Sequence, residues 1–169
     1  YRVGWMFKSH NMGSLMAAAA QGIAMWKNAG CMEAGLWGMD GSTPGTFAFG
    51  VTCESAEQFY KIEDAMQTNP EFMQWQMSWM NMFEFTGNYR VTLVADHSSE
   101  HLESPSFMAQ WHFVPSSMET MMEATEEAAA LWKRHGAKMV MLTSLAGTGV
   151  GQFAFSLAFA NGEEFGAIM

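Results

Sequence analysis

His112 lies in the run Ala109-Gln110-Trp111-His112-Phe113, where the alternation of an extended chain turns it away from Trp111 and Phe113. An imidazole so placed can act as acid or base, hydrogen-bond a substrate carbonyl, or fill an axial metal position. It is the candidate catalytic residue. Arg90, at the start of an extended run, could reach a carboxylate or enolate, and Met6 holds the position that matches His112 in a repeat described below. His112, Met6 and Arg90 are therefore the candidate ligand-binding residues. Each has a plainer reading: a histidine satisfied by a backbone carbonyl, an apolar side chain, an exposed arginine at a strand end.

Other chemistry is thinner. Asp96, His97 and His101 combine carboxylate and imidazole in a connector that has no fourth fixed ligand. The eighteen methionines include the clusters Met73, Met77, Met80, Met82 and Met118, Met121, Met122, which could suit Cu(I), but they follow the spacing of core leucines. No metal and no cofactor is expected. No Ser-His-Asp signature, phosphate loop, dinucleotide fingerprint or zinc spacing is present. Two cysteines, Cys31 and Cys53, are too few for a disulfide framework. A hairpin centred near Ser42 would set them opposite each other on neighbouring strands, about 5 Å apart, as free thiols or as a bridge.

The elements that must position these residues follow from an internal repeat. Ala24-Met25-Trp26-Lys27-Asn28-Ala29-Gly30 returns as Ala130-Leu131-Trp132-Lys133-Arg134-His135-Gly136, an offset of 106 residues. The same offset lays Trp5 and Phe7 on Trp111 and Phe113, and Phe47-Ala48-Phe49 on Phe153-Ala154-Phe155. It also pairs Glu57, Phe59 and Ile62 with Glu163, Phe165 and Ile168.

Within the first copy a strand is predicted over 2–8, then a helix capped by Ser14 and stopped by Gly30. A hairpin over 31–53 turns at Asp40 to Gly45. Ser55 and Gln58 form a capping box for a second helix, and Asn69-Pro70 opens a third bearing Phe72, Trp75, Trp79 and Phe83. A strand over 89–95 closes the unit. The second copy is predicted as a strand over 109–114, a helix capped by Ser116 with Glu119, a hairpin turning at Gly147-Thr148-Gly149, and a helix capped by Asn161 with Glu164. Met169 matches Glu63, mid-helix. The second unit is thus expected to be a fragment, or to take its missing edge from another chain.

This βαββαβ order, given twice, divides the chain into a first ferredoxin-like unit (1–96), a connector (97–108) and an incomplete second unit (109–169). Two such units resemble the dimeric α+β barrel superfamily in fused form. Asn69-Pro70-Glu71-Phe72-Met73-Gln74-Trp75 is similar to the acidic-proline-aromatic stretch that often follows the second helix there. The resemblance implies an α+β barrel, and functions ranging from cofactor-independent monooxygenases and haem-binding or ring-modifying enzymes to barrels of unknown purpose.

Composition narrows the partners. A formal charge of −9 without a basic cluster argues against nucleic acid and anionic membrane, and no apolar run approaches a bilayer span. Few cysteines and a strand-like start fit the cytoplasm. Two functions stay open. One is a small apolar or aromatic ligand held in a cleft, with or without monooxygenase- or isomerase-like turnover. The other is a non-catalytic assembly subunit, oligomeric through the apolar segment Pro70 to Phe83 and the open sheet edge.

Overall fold

The computed structural model describes residues 1–39, 44–100, 102, 107–147 and 151–168. The chain has an α+β fold in two compact units, Tyr1–Arg90 and Val91–Met169. Its elements are β1 (Arg2–Lys8), α1 (Met12–Asn28), β2 (Glu33–Gly38), β3 (Thr46–Thr52), α2 (Ala56–Gln67), α3 (Pro70–Met82) and β4 (Glu84–Asp96), followed by β5 (Phe107–Phe113), α4 (Met118–Arg134), β6 (Met139–Ala146), β7 (Gln152–Phe159) and α5 (Gly162–Gly166). The boundary between units falls inside β4. Strand order is β2-β3-β1-β4 in the first and β4-β6-β7-β5 in the second.

The 106-residue offset reappears as hydrogen-bond register. Trp5 pairs with Phe49 and Phe7 with Phe47 on antiparallel β1 and β3; Trp111 pairs with Phe155 and Phe113 with Phe153 on β5 and β7. Leu36 faces Phe49 just as Leu142 faces Phe155. A slip of one residue would send every large side chain to the other face, so the apolar pattern holds the register. Gly30 and Gly136 end α1 and α4 with φ of +106° and +95°, a conformation that side chains avoid.

The large face of each sheet lies under its helices. In the first unit Phe7, Phe49 and Val51 are buried with Trp26 of α1, Phe59 of α2 and Phe72, Trp75 and Trp79 of α3. Phe49 meets Trp79 at 5.4 Å, edge to face. In the second unit Val140, Leu157 and Phe159 form the core with Ala129, and Trp132, Phe155 and Phe165 pack against it. No counterpart of α3 occurs there among the described residues, and Trp111 is 42% exposed whereas Trp5, 106 residues earlier, is partly buried.

Several boundaries differ from the sequence reading. Asn11, not Ser14, caps α1: its Oδ1 accepts from the Ser14 N–H at 3.0 Å. Ser117, not Ser116, caps α4, accepting from the Thr120 N–H. Neighbouring residues able to cap compete, and the backbone that first turns helical decides. β4 begins at Glu84, five residues before the predicted start, because Phe83 is already extended and Gly87-Asn88 continue the strand instead of turning. β5 begins at Phe107, two residues early. The Asn69-Pro70 start of α3 is as predicted, with Asn69 Oδ1 accepting from the N–H groups of Glu71 and Phe72. The turn residues Asp40 to Thr43, His101, and Thr148-Gly149 lie outside the described residues. No described helix is long and apolar enough to cross a membrane.

Candidate functional site

The face of β1, β2 and β3 away from the helices carries Gly4, Gly35, Ala48 and Gly50. The room this leaves is filled by the unit's own rings. A Cβ on Gly35 would stand 2.8 Å from the Trp37 ring and one on Gly50 3.0 Å from it, and Tyr89 occupies the space a Cβ on Gly4 would need. Arg2 lies over Trp37, 5.2 Å from the ring centroid, and is tied to Glu33 Oε2 and Thr52 Oγ1, each at 2.8 Å. Met6 shares this face, with its Cε close to Gly87. Burial raises the Tyr89 phenol above its ordinary pKa, so it stays a neutral hydroxyl.

On the second unit the matching face bears Gln110, His112, Ala154, Ser156 and Thr143. Gln110 donates its Nε2–H to Ser156 Oγ at 2.8 Å, and its Oε1 lies 2.8 Å from His112 Nε2. Because an amide oxygen only accepts, His112 Nε2 carries a proton in this chain. Ser156 is buried while His112 and Gln110 are exposed, so the chain runs from inside the sheet to its surface. His112 pairs with Ala154 and Trp111 with Phe155, the opposition of faces expected from the sequence.

A cleft of about 240 Å³ opens between the sheet and the helices of the first unit. Trp5, Trp26, Phe49, Phe72, Trp75 and Trp79 form its aromatic walls, and Glu63, Gln67, Gln76, Met80 and Phe85 also line it. Two indole N–H groups in these walls differ. That of Trp75 donates to the Ala18 carbonyl at 2.8 Å, whereas that of Trp26 is buried without a partner. A buried donor left unpaired costs about 1–3 kcal/mol. Burial raises the pKa of the Glu63 carboxyl, and the charge of Arg90 opposes that rise. The cleft thus combines an apolar, aromatic enclosure with one carboxyl whose pKa burial raises, and the unpartnered indole N–H is buried within its wall.

Arg90 itself donates from Nε to the Tyr60 hydroxyl at 3.1 Å, and the Tyr60 and Tyr1 hydroxyls lie 3.5 Å apart. Hydrogen bonds from Tyr1 and Arg90 lower the Tyr60 pKa, while burial pushes Tyr1 up to about 12. Met6 and Arg90 are in the first unit, His112 in the second. Glu63 and Trp26, which line the cleft, were not among the candidates named from the sequence. The signal for Glu63 was available: Phe59, Ile62, Glu63 and Met66 share one helical face, so a carboxylate stands on the stripe that packs inward.

No family profile matches the chain, and no curated protein matches it. Solved structures do. The chain is similar to an anthrone oxidase-like protein, with a TM-score of 0.62 and 11% identity over 99% of this chain and 76% of that one. It is similar also to a protein described provisionally as a monooxygenase, from Fusobacterium nucleatum subsp. nucleatum, with a TM-score of 0.55 and 11% identity over 97% of this chain and 77% of that one. At such identity the likeness is one of fold alone, an α+β fold.

Proposed function

We propose that this chain binds a small planar aromatic molecule in the cleft of its first unit and acts as a cofactor-independent oxygenase on an activated C–H bond. The observation that carries the reading is the aromatic-walled cleft lined by Glu63 and by Trp26, whose buried N–H has no partner. The chemistry needs a base and a donor. Glu63 would take a proton from a carbon flanked by rings or a carbonyl, and the Trp26 N–H would bind the oxygen on which the enolate charge develops. The enolate then delivers its electrons to dioxygen and a C–O bond forms; the peroxide anion takes back the proton held by Glu63, and the hydroperoxide loses water with the second hydrogen of the same methylene carbon to leave a carbonyl. Arg90 would set the charge of Glu63 from outside the cleft. His112, bonded through Nε2 to Gln110, is proposed as a separate acid–base position on the second unit. The names of the structurally similar proteins support the reaction class, and anthrone is the probe to use.

The test is dioxygen uptake with anthrone, corrected for its spontaneous oxidation, together with binding followed by tryptophan fluorescence. Glu63→Gln should keep binding and lose turnover, and Trp26→Phe should weaken binding of ketones more than of hydrocarbons. Uptake equal to the protein-free control, with no binding, would overturn the reading. Loss of turnover in His112→Ala with cleft binding intact would move catalysis to the second unit.

We propose also that the two units are copies of one ferredoxin-like pattern, a reading supported by their equal registers. The assembly reading keeps one supporting observation. Met77 and Met80, on the outward side of α3, are each 61% exposed and form with Met73 an apolar stripe suited to a second subunit. Sedimentation of the double variant Met77→Asp, Met80→Asp would dissociate such an oligomer; an unchanged particle would remove this surface from consideration.

A further inference from the structure

The sulfur atoms of Cys31 and Cys53 lie 3.1 Å apart, and both side chains are buried. Backbone hydrogen bonds hold the chain on both sides of the pair. The Cys31 N–H donates to the Trp26 carbonyl, the Met32 N–H to Thr52, and the Cys53 N–H to Tyr1, while the Tyr1 ammonium donates back to the Cys53 carbonyl at 2.9 Å. The backbone on both sides of the pair, next to β2 and β3, is therefore held in place, and the two side chains need little movement to meet.

The second unit shows that packing alone does not call for thiols here. Its matching positions, 106 residues on, are Ala137 and Phe159, both buried. A metal also fails to explain the pair. No group of three or more His, Cys, Asp or Glu able to hold an ion occurs among the described residues, and two thiols alone leave a zinc site half built.

We infer that Cys31 and Cys53 form an intrachain disulfide when the protein meets a thiol oxidant, stapling the start of β2 to the end of β3. With a glutathione disulfide as oxidant, one thiolate attacks its sulfur and releases a first glutathione thiol. The second cysteine thiolate then displaces the other glutathione, so that two protein thiols lose two protons and two electrons and two glutathione thiols form. Burial raises the Cys31 thiol to about 12, so exchange is slow in the native protein and the bridge, once made, is protected.

The test equilibrates the protein in glutathione buffers, both as native protein and during refolding from denaturant, then alkylates it under denaturing conditions. The expected product is a monomer two hydrogens lighter, with both cysteines unmodified by the alkylating agent. Its melting temperature should exceed that of the reduced form by about 5–10 °C, since the bridge closes a loop across 22 positions. Cys31→Ala and Cys53→Ala should each lose that difference. Cysteines that remain alkylatable after refolding in excess glutathione disulfide would overturn the inference, as would a bridge between two molecules or an unchanged melting temperature.

Discussion

Trp75 of α3 lies against Gly22 of α1 so closely that a Cβ on the glycine would occupy the place of the indole ring. The ring cannot retreat freely, because its N–H is bonded to Ala18 one turn earlier. Glycine to alanine inside a helix ordinarily stabilises by about 0.5–1 kcal/mol. Here Gly22→Ala should destabilise by about 1–3 kcal/mol, since overpacking outweighs the helix propensity gained. Urea denaturation checks the sign, and a stabilised variant would mean that α3 is held loosely on α1.

Glu63 makes stability depend on pH in the opposite sense from a salt-bridged carboxylate. Its folded pKa is raised by burial, so the unfolded state gives up this proton at a lower pH than the native state does. The penalty is absent below the model-peptide value of 4.5 and is fully present above the raised native value. Melting temperature should therefore fall across that window, and Glu63→Gln should flatten this part of the profile. A profile that does not change in the variant would show that the carboxyl is solvated.

The two ends of the His112–Gln110–Ser156 chain should respond differently. His112 is exposed, and His112→Ala should alter stability by less than about 0.5 kcal/mol. Ser156 is only 2% exposed and accepts from Gln110, so Ser156→Ala should cost about 1 kcal/mol. Chemical denaturation of the two variants side by side measures the difference; equal costs would place the whole chain in solvent.

Arg2 is bonded to Glu33 and Thr52 while its guanidinium lies over Trp37. Arg2→Ala should cost about 1 kcal/mol, and Arg2→Lys should recover little of it, because an ammonium cannot reproduce the planar fork. Full rescue by lysine would show that charge alone matters at this position.

The α+β order of elements could be read before any coordinates, and Asn69-Pro70 marks the helix start that the structure shows. What escaped were competitions between near-equal local choices. Asn11 and Ser14 can both cap, and Gly87-Asn88 suits a turn as well as the strand it joins. The cleft was harder still. Its walls are residues that also make an ordinary core, and nothing in the order of letters says that Trp75 finds a carbonyl while Trp26 does not. Gly4, Gly35 and Gly50 are small residues on one face, and the space beside them holds Trp37 and Tyr89.

The stacked pair Trp111 and Trp132, with ring centroids 5.9 Å apart, repeats the pair Trp5 and Trp26 at 5.8 Å. One pair includes a ring that is 42% exposed, the other a ring that is 2% exposed. The chain therefore carries the same chromophore dimer in two solvents. Emission from the second unit should lie to the red and yield to iodide, while that of the first should stay blue and shielded. Each half then reports its own unfolding by its natural fluorescence, without a label or an added probe.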